Sequence, residues 1–397
     1  MTKRRKRSTK KSSKKKGGGN KLLMLVLVLV LGGYFMVTGN DPLGLFESGD
    51  ETDQPPLATL PPETGGDGDW WQVYFTNPQE RESYDDLRGT PAEKLIAQIN
   101  QAQSSIHIAS FEFNLPQVAE ALIAAQKRGV TVLWVTDDEH GIEADEDDGL
   151  ELFAKMEEAG VGVRDDERSA LMHNKFWIFD RQRVWTGSTN ITVNGMFRNN
   201  NNVILLESPR VAAIYEREFE EMWGGEFGPT SPSTVDSQQT TVNGVPVQVL
   251  FAAEDEVATQ LLPLIQNAKR QVRFMAFSFT HDALGQAVLD RANAGVDVRG
   301  IFEKRGSETE YSELPALFCA GMAMRQDGNP RTFHHKVFII DEQTVATGSF
   351  NFSDNADESN DENVIIITDP ALAAQYLQEF ERRWPEGEEP DRADMGC

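Results

Sequence analysis

Two periods of apolar and polar positions alternate along most of this chain, and their order repeats. WQVYF at 71–75 and VQVLF at 247–251 read as strands. Each is followed by a pattern with helical spacing, AEKLIAQINQAQ or ATQLLPLIQNAK, that leads into a further apolar strand. When IASFEFNLPQVAEALIAAQKRGVTV, from Ile108, is laid over FMAFSFTHDALGQAVLDRANAGVDV, from Phe274, Phe111 meets Phe277, Phe113 meets Phe279, Gly129 meets Gly295 and Val130 meets Val296. Each copy reads strand, helix, strand, helix, strand, the alternation of an α/β unit. A repeat this long is a duplicated domain, because solenoid units are several-fold shorter.

Ahead of the first copy the pattern changes character. Residues 1–21 form a basic leader with 11 Lys and Arg and no carboxylate, and residues 22–38, LLMLVLVLVLGGYFMVT, are uncharged and apolar. That length lies at the short end of what crosses a bilayer. The expectation is a single transmembrane anchor in the cell membrane, with the leader cytoplasmic and the folded body extracellular, since positive charge stays inside. A signal peptide cleaved near Val37 and Gly39, giving a secreted body, is the alternative. Residues 39–68 are rich in Pro, Gly, Asp and Glu without apolar periodicity and read as an acidic tether. The first domain is then expected over 69–228, a linker (PTSPSTVDSQQTT) over 229–241, the second domain over 242–385, and an acidic tail over 386–397.

Charge narrows the range of partners. The chain carries 38 basic and 63 acidic side chains, a net charge of -25, and without the leader only 27 basic groups face the 63 acidic ones. A body so charged repels polyanions unless a local basic site overrides its field, which excludes a general nucleic-acid-coating role. Only Cys319 and Cys397 occur, too few for a disulfide-rich scaffold or a cysteine zinc site. Cys397 reads as a free thiol and Cys319, in LPALFCAG, as a buried helix thiol.

The candidate chemistry is concentrated near the end of each copy. HNKFWIFDRQRVWTGSTN runs from His173 to Asn190, and HHKVFIIDEQTVATGSFN from His334 to Asn351. Both fit H-x-K, four residues, Asp, six residues, G-S-x-N without a gap. A pattern repeated at one place in both halves of a duplication is not a chance match. Strand alternation sends His173 and Lys175 to one face, and His334 and Lys336 likewise. The runs FWIF and VFII have the character of strands buried on both faces. One copy offers an imidazole, an ammonium and an amide, which can bind a phosphate. Two copies facing each other supply a nucleophilic His, a second His to protonate the leaving oxygen, and two Lys with two Asn to hold a pentavalent phosphorus.

On these residues the chain resembles the phospholipase D superfamily, whose signature is the doubled H-x-K-D motif, over roughly residues 70–385. The resemblance implies two α/β domains, each a mixed sheet flanked by helices, related by a pseudo-twofold axis with one shared active site in a monomeric catalytic unit. It implies phosphodiester cleavage without metal or other cofactor, through a phosphohistidine, followed by hydrolysis or transfer to an alcohol. By motif position His173 and His334 are the catalytic pair, and Lys175 and Lys336 the phosphate clamps. Asn190 and Asn351 are further phosphate donors, Ser188 and Ser349 belong to the phosphate pocket, and Asp180 and Asp341 are the motif carboxylates, with a structural part. In single-copy members a Glu 28 residues after the His bonds its ring; copy two has Glu362 there and copy one Asn201. A carboxylate favours imidazolium, so the resemblance implies His334 as the general acid and His173 as the nucleophile. The expected substrate is a membrane phospholipid that loses its headgroup. A membrane-anchored extracellular nuclease of the same superfamily, with nucleic acid as substrate, is the alternative.

Other residues read as bystanders. His335 faces away from His334 and reads as packing or as a support behind the site. His107, His140 and His281 lack metal-ligand spacing, and the acidic run from Asp137 to Asp148 lacks calcium-loop spacing, so no metal is expected. Trp70, Trp71 and Trp185 read as core or pocket wall.

Overall fold

The computed structural model describes residues 65–81, 83–232 and 238–397. The basic leader, the anchor and its topology, most of the tether and residues 233–237 of the linker lie outside the described residues. Among the described residues no helix is long and apolar enough to cross a membrane.

Copy one contributes β1 (Gly65–Asp67), β2 (Trp71–Phe75), β3 (Ser105–Ser110), β4 (Thr131–Thr136), β5 (Gly162–Asp165), β6 (Lys175–Phe179), β7 (Arg183–Gly187) and β8 (Asn202–Glu207). They form one sheet in the order β1-β2-β8-β7-β6-β3-β4-β5. Copy two contributes β9 (Gln239–Val242), β10 (Val245–Ala252), β11 (Gln271–Ala276), β12 (Asp297–Phe302), β13 (Ala323–Gln326), β14 (Lys336–Ile340), β15 (Thr344–Gly348) and β16 (Glu362–Thr368). Their order, β9-β10-β16-β15-β14-β11-β12-β13, is the same. The helical crossovers make β3, β4 and β5 parallel to one another, whereas β6, β7 and β8 join antiparallel, so both sheets are mixed.

Two boundaries differ from expectation. Gly65–Asp67, expected in the tether, pairs with β2, and Gln239–Val242, expected in the linker, forms β9 against β10. Both are edge strands of largely polar sequence, GGD and QTTV, without the alternation that signals a strand.

Each sheet carries helices on its outer face. Pro91–Gln101, Pro116–Lys127 and Leu152–Glu158 pack Leu95, Leu122 and Phe153 around Trp134 and Trp177. Val257–Gln266, Asp282–Asn293 and Glu313–Cys319 pack Leu261, Leu284 and Leu317 around Phe274 and Phe338. The inner faces, with helices Pro209–Gly224 and Pro370–Arg383, merge into one core that takes Phe176, Ile178 and Tyr215 from copy one and Phe251, Ile339 and Tyr376 from copy two. Tyr215 meets Phe251 edge-on at 5.4 Å, and Phe75 meets Tyr376 at 5.3 Å. Each such side chain contributes about 1.5–3 kcal/mol by burial, so the copies are joined as a domain interior is, not as two surfaces.

Cys319 and Cys397 form a disulfide, with Cα atoms 5.8 Å apart across 78 residues. This corrects the expectation of a free Cys397 and a buried Cys319 thiol. Cys319 ends its helix on the exposed side, and the tail folds back to it: Glu388 exchanges backbone hydrogen bonds with Gln326, and Met395 is buried. No local spacing announces such a pairing.

Candidate active site

His173 and His334 lie two residues ahead of β6 and β14, whose five positions are all buried. Each approach segment is held by the other copy. The His173 amide donates to the Asp361 carbonyl at 2.9 Å, and the His334 amide donates to the Asn200 carbonyl at 2.9 Å. The crossing is reciprocal, as a pseudo-twofold axis requires. Behind it the Asn363 amide donates to Oδ1 of Asn174 at 2.8 Å, and Nδ1 of His335 lies 3.1 Å from Oδ1 of Asn202. His335 is fully buried toward the shared core, with Glu379 3.4 Å from its Nε2.

The two lysines repeat the symmetry. Nζ of Lys175 donates to the His173 carbonyl at 2.8 Å, and Nζ of Lys336 to the His334 carbonyl at 3.2 Å. The Phe111 ring lies 5.0 Å from the first ammonium and the Phe277 ring 4.7 Å from the second. His173 is 6% exposed and His334 9%. Burial, followed by the ammonium groups of both lysines, holds each imidazole well below 6.5. The reciprocal backbone bonds of His173 and His334 to the opposite copy bring the two motifs side by side, close enough for each lysine to act on both histidines. Burial brings Lys175 down to about 8 and, with Lys175 nearby, holds Lys336 well below its usual value. Two crowded ammoniums with neutral imidazoles are an environment that an anion stabilises.

The partners of the histidines are exchanged relative to expectation. Oε2 of Glu362 lies 2.7 Å from Nδ1 of His173, not on His334. Nδ1 of His334 instead faces Oδ1 of Asn201 at 2.9 Å and the Ser188 carbonyl at 3.0 Å. The physical reason is the crossing already described. Residues 200–201 and 361–362 lead into β8 and β16, and both segments lie against the approach segment of the opposite copy.

The motif serines also differ from expectation. Oγ of Ser188 donates to Oδ1 of Asn201 at 2.8 Å, and the Ser349 hydroxyl bonds the Glu362 carboxyl. Each hydroxyl also accepts the amide of the following strand, Asn202 at 3.1 Å or Asn363 at 2.9 Å. Their hydroxyls are thus committed to the histidines' partners rather than offered to a phosphate. The preceding glycines are required by close approach, because a Cβ at Gly187 or Gly348 would collide with the carbonyl of Asn202 or Asn363.

Asp180 and Asp341 sit at the turns after β6 and β14 with φ of 54° at each, a conformation that Asp tolerates better than most residues. The Asp180 carboxylate accepts the amides of Gln103, Ser104 and Ser105, and Asp341 those of Lys269, Arg270 and Gln271. They tie the start of β3 or β11 to the motif hairpin, far along the strand from His and Lys. Asn190 and Asn351 hold equivalent places after the G-S turns, and among the described residues neither buried Oδ1 has a hydrogen-bond partner.

Copy one adds residues that the motif does not contain. Oε2 of Glu112 accepts the Asn190 amide at 2.5 Å, and burial raises its carboxyl against the opposing charge of Lys175. His140 stacks on Phe111 at 4.9 Å, and the same ring meets His173 at 4.8 Å. Nδ1 of His140 lies 3.0 Å from Oδ1 of Asp137, a hydrogen bond that raises the imidazole's pKa. His140 is not the bystander that its spacing suggests but lies at the edge of the site. The repeat puts Ser278 opposite Glu112 and Gly306 opposite His140. That mismatch was the available signal.

The remaining candidates lie elsewhere. His107 pairs with Glu216 at 2.7 Å on the shared-core side, and His281 lies 3.8 Å from Asp354. Asp137, Asp138 and Asp166 bring one oxygen each within 4.8 Å of one another. Asp137 accepts the Met172 amide and Asp166 the Asp138 amide, while copy two repeats both bonds with Glu303 to Phe333 and Asp327 to Lys304. Lys304 in the place of Asp138 shows that these carboxylates serve the loops in both copies. A cavity of about 360 Å³ beside β9, β10 and β16 is lined by neutral side chains, including Thr241 and Gln248, and by no motif residue.

The family model for the cardiolipin synthase, phospholipase D-like domain matches residues 95–223 and again residues 261–384. The chain belongs to the phospholipase D superfamily. Among its relatives, the mitochondrial cardiolipin hydrolase of Chlamydomonas reinhardtii is 35% identical over 126 residues, covering 32% of this chain and 56% of that one. The phospholipase D of Rickettsia bellii is 35% identical over 116 residues, covering 29% of this chain and 58% of that one. This member of the superfamily thus spans little more than half the length of each of these relatives. The solved phosphatidylserine synthase of Haemophilus influenzae superposes with a TM-score of 0.56 at 13% identity, covering 82% of this chain and 91% of that one. At that identity the likeness is one of fold.

Proposed function

We propose that the protein is a phospholipase D-type phosphodiesterase that hydrolyses phospholipid headgroup bonds at one two-histidine site. The observation that carries this reading is the unequal pairing of the histidines, Glu362 on His173 and the neutral Asn201 on His334. Glu362 holds the proton on Nδ1 of His173, so Nε2 has the lone pair that attacks phosphorus. The N–P bond forms as the P–O bond to the leaving alcohol breaks. The phosphorylated ring is then cationic, and the Glu362 carboxylate neutralises it. His334 binds a proton when the anionic substrate arrives and gives it to the leaving oxygen. It then takes the proton of a water or alcohol whose oxygen attacks phosphorus and frees His173. Lys175, Lys336, Asn190 and Asn351 hold the non-bridging oxygens. The sequence-based roles are kept while their reason is reversed, because the carboxylate marks the nucleophile and not the acid.

The phospholipid reading is supported by the names of the relatives and by an acidic body that repels a polyanionic substrate. It fits a membrane anchor at 22–38 that keeps the site near its substrate. The test uses the full chain in detergent with EDTA. Headgroup release from phosphatidylcholine and cardiolipin vesicles is compared with cleavage of single- and double-stranded DNA, with His173→Ala and His334→Ala as controls. Lipid turnover lost in both variants is expected. DNA cleavage without lipid turnover would make the protein a nuclease, and loss of activity in EDTA would refute the mechanism.

A further inference from the structure

The two halves of the pocket also differ at the residue two positions past β3 or β11. Glu112 follows β3 where Ser278 follows β11, and their backbones are equivalent: the Ile191 amide donates to the Glu112 carbonyl at 3.2 Å, and the Phe352 amide to the Ser278 carbonyl at 3.1 Å. The Glu362 carboxylate is committed to His173, whereas Glu112 hydrogen-bonds a neutral amide, that of Asn190. Its charge is felt at both Lys175 and Lys336. Glu112 thus stands against the cradle formed by these three side chains; burial works against its charge and Lys175 favours it, and among the described residues it has no salt bridge within 4 Å.

A phosphodiester carries one negative charge whatever alcohols it joins. A phosphomonoester or inorganic phosphate carries nearly two at neutral pH, because the second proton leaves near a pKa of about 6. The extra charge is shared among its three terminal oxygens, inside the same cradle. Terminal oxygens on the Ser278 side meet a neutral group, whereas those held by Asn190 meet Glu112 behind it. Two like charges about 4 Å apart repel strongly enough to change affinity at least tenfold even at an effective dielectric constant of 20.

We propose that Glu112 makes this pocket selective for singly charged phosphodiesters against doubly charged phosphomonoesters, so that a monoester product leaves the two lysines instead of occupying them. The inference rests on the phosphodiesterase reading above. Glu112→Gln preserves an acceptor for Asn190 and removes the charge; Glu112→Ser installs the residue of copy two. Titration calorimetry on the full chain in detergent would use sulfate as a tetrahedral dianion and dimethyl phosphate as a singly charged diester, with Lys336→Ala as a control for the cradle. Both Glu112 variants are expected to bind sulfate about tenfold more tightly than the parent protein while dimethyl phosphate changes by less than about threefold. Equal strengthening for both anions, or unchanged sulfate affinity, would overturn the inference and leave the cradle standing. If neither anion bound the parent protein or the variants, the cradle itself would fall, and the inference with it.

Discussion

Glu362 of the second copy holds Nδ1 of His173 of the first at 2.7 Å, whereas the matching nitrogen of His334 meets the amide oxygen of Asn201 at 2.9 Å. One carboxylate therefore makes two histidines of a duplicated site unequal. An imidazole with a carboxylate at Nδ1 tolerates the positive charge that N-phosphorylation creates, and one with an amide gives up its proton more readily.

Glu362→Gln should separate activity from stability. Burial pushes this carboxyl up to about 7, above its ordinary 4.5, so its contribution to folding is complete below the ordinary value and is lost as pH rises through the folded one. Gln does not ionise. The variant should melt higher than the parent at about pH 8 and alike at about pH 4, with a difference on the order of 3 kcal/mol. Turnover of a phosphodiester should fall by up to about 10⁴, the scale on which a histidine loses its orienting carboxylate. Equal melting at both pH values would show that Glu362 is not a destabilised carboxylate.

His334→Ala should trap the intermediate. A nitrophenyl leaving group needs little protonation, so the first step survives while removal of the phosphoryl group slows. A stoichiometric burst and a phosphoryl adduct on His173 by mass spectrometry are expected, and neither in His173→Ala. An adduct on His334 in the reverse experiment would exchange the two roles.

Asn201→Asp acts on the acid. His334 is held well below 6.5 by burial and the two lysines, and a carboxylate at Nδ1 favours its imidazolium. The alkaline limb of kcat/KM, where His334 must still be protonated, should move upward by about one pH unit. A limb that stays in place would remove His334 from the acid role.

Asp180→Asn and Asp341→Asn should weaken the fold and spare the chemistry. Each carboxylate accepts three successive backbone amides ahead of β3 or β11. Losing that charge should cost about 1–3 kcal/mol in urea unfolding. The kcat of the folded protein should stay within about twofold, whereas a residue touching substrate would lose orders of magnitude.

Reduction of Cys319–Cys397 should lower the melting temperature. The bond closes 78 residues of copy two, a loop for which the chain-entropy account gives about 4.5 kcal/mol. Cys319→Ser should match the reduced protein and be insensitive to reductant. Identical melting of the oxidised and reduced protein would contradict the bond.

By itself the sequence determined what is local or repeated. Strand and helix periods follow from which side chains must face a core, so the duplication, the mixed α/β copies and the buried motif strands were all legible. H-x-K spacing was enough to put His and Lys together, and the G-S-x-N turn could be placed. Only the tertiary structure decided which copy partners which histidine. Glu362 lies 28 residues past His334 in the chain, yet it serves His173, because the segments entering β8 and β16 cross the pseudo-twofold axis. Within each copy the Ser188 and Ser349 hydroxyls hold the residue, Asn201 or Glu362, that crosses to the other copy's histidine. Pairing of Cys319 with Cys397 and the approach of Glu112 to Asn190 likewise depend on surfaces that meet only after folding. Local pattern encodes which face is buried; it does not encode which distant residue waits on the other side.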